Sequence, residues 1–300
     1  MSNLNIDPNK LIKKAERMEK FKRLYEYFYP SSKMKRYYYI ASLYKNAGII
    51  YSQCDKNNAI KYFNKSLNFY KYSDCTNSES EIISISILLG ALNVDIDYEL
   101  GIKHYEDVIN FYVRRGDILN ILHYYEIIGD IYIKYNVVEL GIQIFEKILS
   151  IIGNQNNKFN EYKKNATKKI SIFLINSNDI QNYLKAAKLY LNCIDLHQKK
   201  SASFITFNFK YIYMSIICFC AYGDYIKAND IYNKYFHENE RFIFLVEKDF
   251  VKKILKTIET YDYDMFSFIC DEKNKISSFE PHEYQLLLQI KKNIMDNNKL

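Results

Sequence analysis

A recurring pattern of three residues constrains the fold of this chain more than any other feature of its sequence. A small residue is followed four positions later by an aromatic residue, and three positions after that by another core residue. The small residues recur 40 to 45 positions apart. Such a period is typical of helical-hairpin arrays, in which each hairpin buries its apolar face against its neighbours. The five occurrences are Ala59–Phe63–Ser66, Gly101–Tyr105–Val108, Gly141–Phe145–Ile148, Ala186–Tyr190–Cys193 and Ala228–Tyr232–Tyr235.

The scarcity of helix-breaking residues supports the same fold class. The 300 residues include 3 prolines and 8 glycines, and no proline occurs between Pro30 and Pro281. Proline and glycine interrupt helices, so the sequence predicts an all-α fold. We expect a tetratricopeptide-like, right-handed array of antiparallel helix hairpins over 1–240. A C-terminal helical-bundle cap is expected over 241–300, because the last unit of a solenoid needs a cap.

Sequence motifs for catalysis are absent from the chain. It contains no G-x-x-x-x-G-K-[ST], G-x-G-x-x-G, H-E-x-x-H or G-x-S-x-G pattern. Helical repeats that read RNA place polar residues at one fixed position of every unit, and here the matched positions carry unrelated residues. The sequence therefore predicts a protein that is not an enzyme, with no cofactor, no metal and no nucleic-acid partner. An enzyme that lacks these motifs is the least favoured alternative.

The net charge and the cysteines indicate which partners and which cellular compartment suit the protein. A net charge of +7 permits attraction to anionic lipids or acidic proteins and specifies neither. None of the six cysteines forms a C-x-x-C pair, and no signal peptide is recognisable. We therefore expect reduced thiols and a cytoplasmic protein. The abundance of Lys, Asn, Ile and Tyr indicates an AT-rich genome.

A cluster of large apolar and aromatic side chains lies just before Pro30. A core helix spaces such residues by three and four positions, so a contiguous cluster cannot face one side. Two interpretations remain open for the segment near 21–32. It is either a loop half buried against the first hairpin, or a loop that enters a membrane interface with basic residues on anionic lipids. The candidate membrane-attachment residues are Leu24, Tyr25, Tyr27, Phe28 and Tyr29.

Several short blocks, taken in order, resemble the soluble attachment proteins of the alpha-SNAP family. The first is KAER at 14–17, followed by the aromatic cluster and SSK at 31–33. DYELGI at 97–102, ICFC at 217–220 and LLLQIKKNI at 286–294 follow in the family's order. The resemblance is collinear over nearly the whole chain, and the order and spacing of the blocks carry it.

The resemblance implies an adaptor without catalytic residues. Several copies of such a protein wrap the four-helix SNARE bundle left after membrane fusion. They then recruit a hexameric AAA+ ATPase, N-ethylmaleimide-sensitive factor, which disassembles the bundle in vesicle-mediated transport. By this resemblance the protein is a monomer in solution, peripheral on the cytosolic faces of membranes, with several copies in each complex.

The resemblance also implies which residues contact the acidic SNARE bundle. Lys164 and Lys168 match a basic pair of the family, and an i, i+4 pair lies on one helix face. The other candidates are Lys56, Arg114, Arg115 and Lys210. The sequence departs from the family at Asp117 and His123, where basic residues are expected. Exposed charge pairs contribute only about 0.2–1 kcal/mol each, so binding should be sensitive to salt.

The C-terminus departs further from the family pattern, which places a leucine next to last within an acidic stretch that stimulates the ATPase. Here Leu300 is the last residue and Asp296 supplies the only acidic group nearby. These two residues are the candidates for ATPase binding. The departure keeps an alternative open: a helical-repeat scaffold, such as a viral competitor, that binds SNAREs or another partner without stimulating the ATPase.

Overall fold

The all-α fold is confirmed. The computed structural model describes residues 7–21, 27, 32–73, 77–153, 159–194, 202–237 and 246–297, with 202–208, 237, 246 and 247 described as backbone only. Within these ranges every regular element is a helix. The chain forms two compact units, Met1–Val137 and Val138–Leu300. The boundary predicted at 240/241 lies outside the described residues and stays a prediction.

The N-terminal unit is a succession of antiparallel helices. Its described helices are α1 (Pro8–Lys20), α2 (Lys33–Tyr51), α3 (Lys56–Lys71), α4 (Ser78–Asn93), α5 (Tyr98–Arg115) and α6 (Ile118–Lys134). The ring of Tyr38, near the start of α2, meets Tyr70 at the end of α3 edge-on at 5.1 Å. Near the other end of the pair, Tyr51 stacks on Tyr62 at 5.6 Å. Consecutive helices therefore reverse direction, and their connections collect on two opposite edges.

Aspartates fix where several of these helices begin. A side-chain oxygen of Asp55 accepts a hydrogen bond from the backbone N–H of Asn58 at 3.0 Å, and Asp97 accepts one from Leu100 at 3.1 Å. Asp117 begins α6 in the same way. Each contact satisfies an N–H group that has no partner within its helix. This role explains an aspartate at position 117.

Close approach of the helices depends on glycines that face aromatic rings. A Cβ atom at Gly48 would lie 2.8 Å from the ring of Phe63, and one at Gly90 would lie 2.9 Å from the ring of Tyr105. Phe63 and Tyr105 are the aromatic residues of the first two repeats, and both are buried. Larger residues at these glycines would force the helices apart, so the aromatic residue of each of these two repeats packs directly against a glycine of the preceding helix.

The C-terminal unit is also helical. Its described helices are α7 (Val138–Ile152), α8 (Asn160–Asn176), α9 (Ile180–Asn192), α10 (Ala202–Tyr222), α11 (Tyr225–Tyr232), α12 (Val246–Glu259), α13 (Tyr263–Ile276) and α14 (Pro281–Asn297). One π-helical turn, Asn233–His237, follows α11. The central helix is α10, which packs on α9, α11, α12 and α14.

The apolar half of α10 forms the centre of this core. Every residue from Ile212 to Ala221 is buried. Cys218 and Cys220 lie fully buried there, and desolvation raises the pKa of both thiols well above the ordinary value. Neutral buried thiols pack as small hydrophobic groups. The Cys-Phe-Cys sequence at 218–220 therefore belongs to the core.

The sequence pattern predicts a shorter piece with a loop over 262–274 and a cap from Ser277 or Ser278 on the last helix, and both predictions are wrong. The first segment lies in the continuous helix α13, which Asp262 caps through the N–H of Met265 at 2.9 Å. The last helix begins at Pro281, beyond both serines. A carboxylate oxygen of Glu283 accepts from the N–H of Glu280 at 3.2 Å, so a downstream glutamate supplies part of the cap.

Candidate partner-binding and membrane-facing surfaces

The aromatic segment is flanked by two helices that contact each other. A guanidinium nitrogen of Arg36 in α2 donates to the carbonyl oxygen of Met18 in α1 at 2.6 Å. Tyr44 donates from its hydroxyl to Glu19 at 3.0 Å, which joins the same two helices. The side chain of Tyr27 is 83% exposed. The other candidate membrane-attachment residues, Leu24, Tyr25, Phe28 and Tyr29, lie outside the described residues.

The candidate Lys56 belongs to an exposed three-residue ion cluster. Its ammonium nitrogen lies 2.7 Å from one carboxylate oxygen of Asp95, and the ammonium nitrogen of Lys134 lies 2.8 Å from the other. We call the edge formed by the connections at 52–55, 94–97 and 135–137 the Asp95 edge. Hydrogen bonds from Lys134 and then from Lys56 lower the pKa of Asp95 to about 2. An acidic partner of Lys56 would therefore compete with Asp95.

Sequence reasoning missed Lys134, although a signal for it exists. Lys56 and Lys134 each lie 39 positions from Asp95, which is close to the period of the array. A repeat of this length places such residues at equivalent points of successive hairpins. The ring of Tyr135 stacks on Tyr98 at 4.7 Å, and this contact holds the chain beside Lys134.

Replacing Asp95 with Asn is expected to weaken the protein near neutral pH but not in strong acid. The folded-state pKa of Asp95 is depressed, so its contribution is present above the unfolded value of 3.8 and is lost as the pH falls towards about 2. Urea unfolding of wild type and Asp95→Asn, followed by circular dichroism, measures this. The difference in stability between wild type and Asp95→Asn at pH 6 should vanish near pH 2. The control Glu106→Gln, at an exposed position of α5, should show no such dependence on pH. A difference that persists in acid would contradict the assignment.

Arg114 and Arg115 lie at the opposite ends of the helices from Lys56. Their guanidinium nitrogens are 3.4 and 3.3 Å from the two carboxylate oxygens of Glu79. These residues lie on the edge opposite the Asp95 edge, and we call it the Glu79 edge. It comprises the end of α1, the start of α2, and the residues around the connections after α3 and α5. Helix α5 has 18 residues, so the two edges are about 27 Å apart at 1.5 Å per residue. The structure does not bring these arginines close to Lys56.

In the C-terminal unit one candidate lysine contacts the carboxylate of Glu280, and a second acts on that carboxylate through its charge. Lys210 on α10 makes an ion pair with Glu280, just before α14. This contact, more than any other, lowers the pKa of Glu280, and the charge of Lys168 on α8 lowers it further. His282 is buried 3.5 Å from Glu280, and desolvation lowers its pKa and favours the neutral ring. Three sequence-distant helices therefore share one electrostatic centre.

Lys164 and Lys168 both lie on α8 and are half-buried. Four positions separate them, so they share a helix face. The candidate Asp296 is exposed in the last turn of α14, and Leu300 lies outside the described residues. Within the described ranges, no three His, Cys, Asp or Glu side chains converge as a metal site would require.

Comparison with known proteins identifies the family. The family model for the soluble NSF attachment protein, SNAP, matches residues 6–295. The chain belongs to the SNAP family. SNAP-family proteins are adaptors without enzymatic activity, and membership supports a SNARE-related role with SNARE and NSF partners in general. A comparison with curated proteins gives no match to this chain.

Two solved structures are similar to this SNAP-family chain at low sequence identity. BtubC from P. vanneervenii has 13% identity and a TM-score of 0.39, covering 77% of this chain and 90% of its own. The apo form of the quorum sensor NprR from B. thuringiensis has 14% identity and a TM-score of 0.34, covering 94% of this chain and 83% of its own. Among the described helices, none combines the length and apolarity needed to cross a bilayer.

Proposed function

We propose that this protein binds SNARE four-helix bundles at membranes and recruits a hexameric AAA+ ATPase that disassembles them. The SNAP-family match over 6–295 carries this proposal. In this role the protein acts in the cytoplasm as a monomer that associates with membranes, and several copies surround each bundle.

The SNARE-facing surface in this proposal is basic. Lys164, Lys168 and Lys210 supply it in the C-terminal unit, and Lys56, Arg114 and Arg115 supply it in the N-terminal unit. Support comes from the common electrostatic centre of Lys168 and Lys210 at Glu280. A SNARE bundle presents acidic side chains, which would replace Glu280, Asp95 and Glu79 as partners of these cations. The exchange of one carboxylate for another predicts moderate affinity per copy and a strong dependence on salt.

The membrane-facing segment is proposed to be 21–32, with Leu24, Tyr25, Tyr27, Phe28 and Tyr29 as the inserted side chains. Support comes from the high exposure of Tyr27 beside a fixed pair of helices. The ATPase-facing region is proposed to be the cap over 241–300, including Asp296 and Leu300. Exposure of Asp296 at the end of α14 supports access to a partner there.

A competitor is the second candidate function. The end of α14 and the residues after it carry one acidic group, Asp296, in the sequence MDNNKL at 295–300. A family member that binds SNARE bundles but does not stimulate the ATPase would occupy complexes without dissolving them. This function shares the basic surface and differs in the C-terminal contact.

A disassembly assay with this protein as the sole adaptor tests both functions. Fluorescently labelled SNARE bundles are mixed with the ATPase and ATP, and their separation is followed in time. Adaptor-dependent disassembly would establish the proposed function. Binding without disassembly would favour the competitor. The absence of binding at low salt would contradict both candidate functions.

A further inference from the structure

The Glu79 edge of the N-terminal unit brings together residues from five helices. Arg36 at the start of α2 contacts Met18 near the end of α1. Tyr70 near the end of α3 packs on Tyr38 of α2. Arg115 at the end of α5 contacts Glu79 at the start of α4. These contacts place the segments near 17–21, 32–38, 70–73, 78–81 and 111–115 along one side of the unit.

Large apolar side chains are exposed along this edge beyond the aromatic segment. Tyr72, directly after α3, is 67% exposed, and Val113 in the last turn of α5 is 55% exposed. Met34 near the start of α2 and Leu119 near the start of α6 are also exposed. They continue the row that begins with Phe21 at the end of α1. Exposed apolar groups in such a row, on an otherwise charged surface, mark a contact face.

Charge separates this edge from the opposite one. Lys20, Lys33, Lys35 and Lys71 are exposed on the Glu79 edge. Two of the carboxylates described on this edge pair with cations, Glu79 with Arg114 and Arg115 and Glu81 with Lys45. Glu19 and Asp117 accept hydrogen bonds from the neutral groups of Tyr44 and Asn120 and keep their negative charge. The four exposed lysines, together with Lys45, Arg114 and Arg115, outnumber these four carboxylates, so an approaching surface meets net positive charge.

The Asp95 edge also exposes apolar side chains, at Ile49, Ile96 and Leu100. Around Ile96 the exposed carboxylates Asp95, Asp97 and Glu99 outnumber the exposed lysines Lys56 and Lys134, which both pair with Asp95. An anionic surface would therefore find no net positive charge there. The two edges are therefore alike in apolar exposure and differ in the charge around it.

We propose that the apolar row of the Glu79 edge, including Tyr72 and Val113, docks on an anionic lipid bilayer together with the exposed lysines beside it. This inference rests on the proposed membrane attachment and extends it from one segment to a line of helix ends. Apolar side chains at the ends enter the interfacial region, while Lys33, Lys35 and Lys71 lie against anionic headgroups. Arg114 and Arg115 contact Glu79 and belong to the proposed SNARE-facing surface, so the lysines are the cations assigned to lipid. A line of contacts, unlike a single loop, would fix the angle of the protein on the membrane.

A single tryptophan reports on this surface, because the chain contains no tryptophan. Three variants each carry one tryptophan. Tyr27→Trp places it on the aromatic segment, Tyr72→Trp on the Glu79 edge, and Ile96→Trp on the Asp95 edge. Each variant is titrated with phosphatidylserine–phosphatidylcholine vesicles, with and without brominated acyl chains. We expect emission from positions 27 and 72 to shift to shorter wavelength and to be quenched by bromine. Emission from position 96 should do neither.

The outcomes separate this inference from the proposed membrane attachment. Quenching at position 27 but not at 72 would overturn the extended edge and leave the attachment segment intact. Quenching at none of the three would overturn both, and equal quenching at 72 and 96 would overturn the oriented edge. As a second measurement, Tyr72→Ser with Val113→Ser should raise the lipid concentration for half-maximal binding about tenfold, because two apolar contacts are lost. Ile96→Ser with Leu100→Ser is the matched control and should leave it unchanged.

Discussion

Replacing Tyr27 and Phe28 with Ser is expected to slow the disassembly of liposome-anchored SNARE complexes by about tenfold or more. In the proposed function both rings enter the membrane interface in every copy of the adaptor, and this variant removes them. Each ring contributes at most roughly 1.5–3 kcal/mol on full burial, and the effect multiplies when several copies act on one complex. Soluble complexes that lack a membrane anchor should be disassembled at the wild-type rate.

The comparison between anchored and soluble complexes is what makes this experiment decisive. Ile49→Ser with Ile96→Ser removes two exposed apolar side chains from the opposite edge and should change neither rate. Equal loss of activity on both kinds of complex would mean that the cluster is part of the core. A lowered midpoint of urea unfolding would accompany that result, so the two interpretations of the segment are distinguished within one set of variants.

The sequence predicted the repeat because packing geometry leaves a local record. Gly48 and Gly90 have no side chain because Phe63 and Tyr105 occupy the adjacent space. The same contact occurs in both of these hairpins, between a glycine of one helix and the aromatic residue of the next. Helix starts carry a similarly local signal, since Asp55 and Asp97 each bond a backbone group only three positions away. Helix α14 was misjudged because part of its cap comes from Glu283, downstream of the first residue.

The candidate sites were less predictable because their contacts join distant parts of the chain. Lys210 and Glu280 are 70 positions apart, and nothing local in the sequence pairs them. The ion cluster of Lys56, Asp95 and Lys134 likewise needs three hairpins in register. Family resemblance selected most of these lysines one at a time. It did not indicate that several of them already have a carboxylate partner within the protein.

Those internal partners bear on how the basic surface would work. A lysine held by Glu280 or Asp95 is kept in place and pays less conformational entropy on binding than a free surface lysine. In return, an acidic partner must displace the carboxylate already there. The net gain per contact is therefore small, and affinity would depend on the number of cations engaged at once. The largest effect should follow from changing two neighbouring cations together.

Reversing the charge of Lys164 and Lys168, by Lys164→Glu with Lys168→Glu, is expected to weaken binding to soluble SNARE bundles about thirtyfold. Both side chains lie on one face of α8, so an acidic bundle that meets one also meets the other. Attraction at each position becomes repulsion, and a negative charge at 168 would no longer lower the pKa of Glu280 as Lys168 does. Fluorescence anisotropy with a labelled bundle at low salt measures the change.

A control on the neighbouring helix separates this local effect from the change in net charge. Lys185→Glu with Lys188→Glu reverses two exposed lysines of α9 and changes the net charge by the same amount. We expect it to affect binding only through the weaker long-range attraction between the protein and the bundle. Lys164→Gln with Lys168→Gln should give an intermediate loss, because it removes attraction without adding repulsion. Wild-type and reversed proteins should converge in affinity as salt is raised. Equal weakening of binding by the α9 and the α8 charge reversals would mean that the basic face of α8 is not the site that binds the bundle.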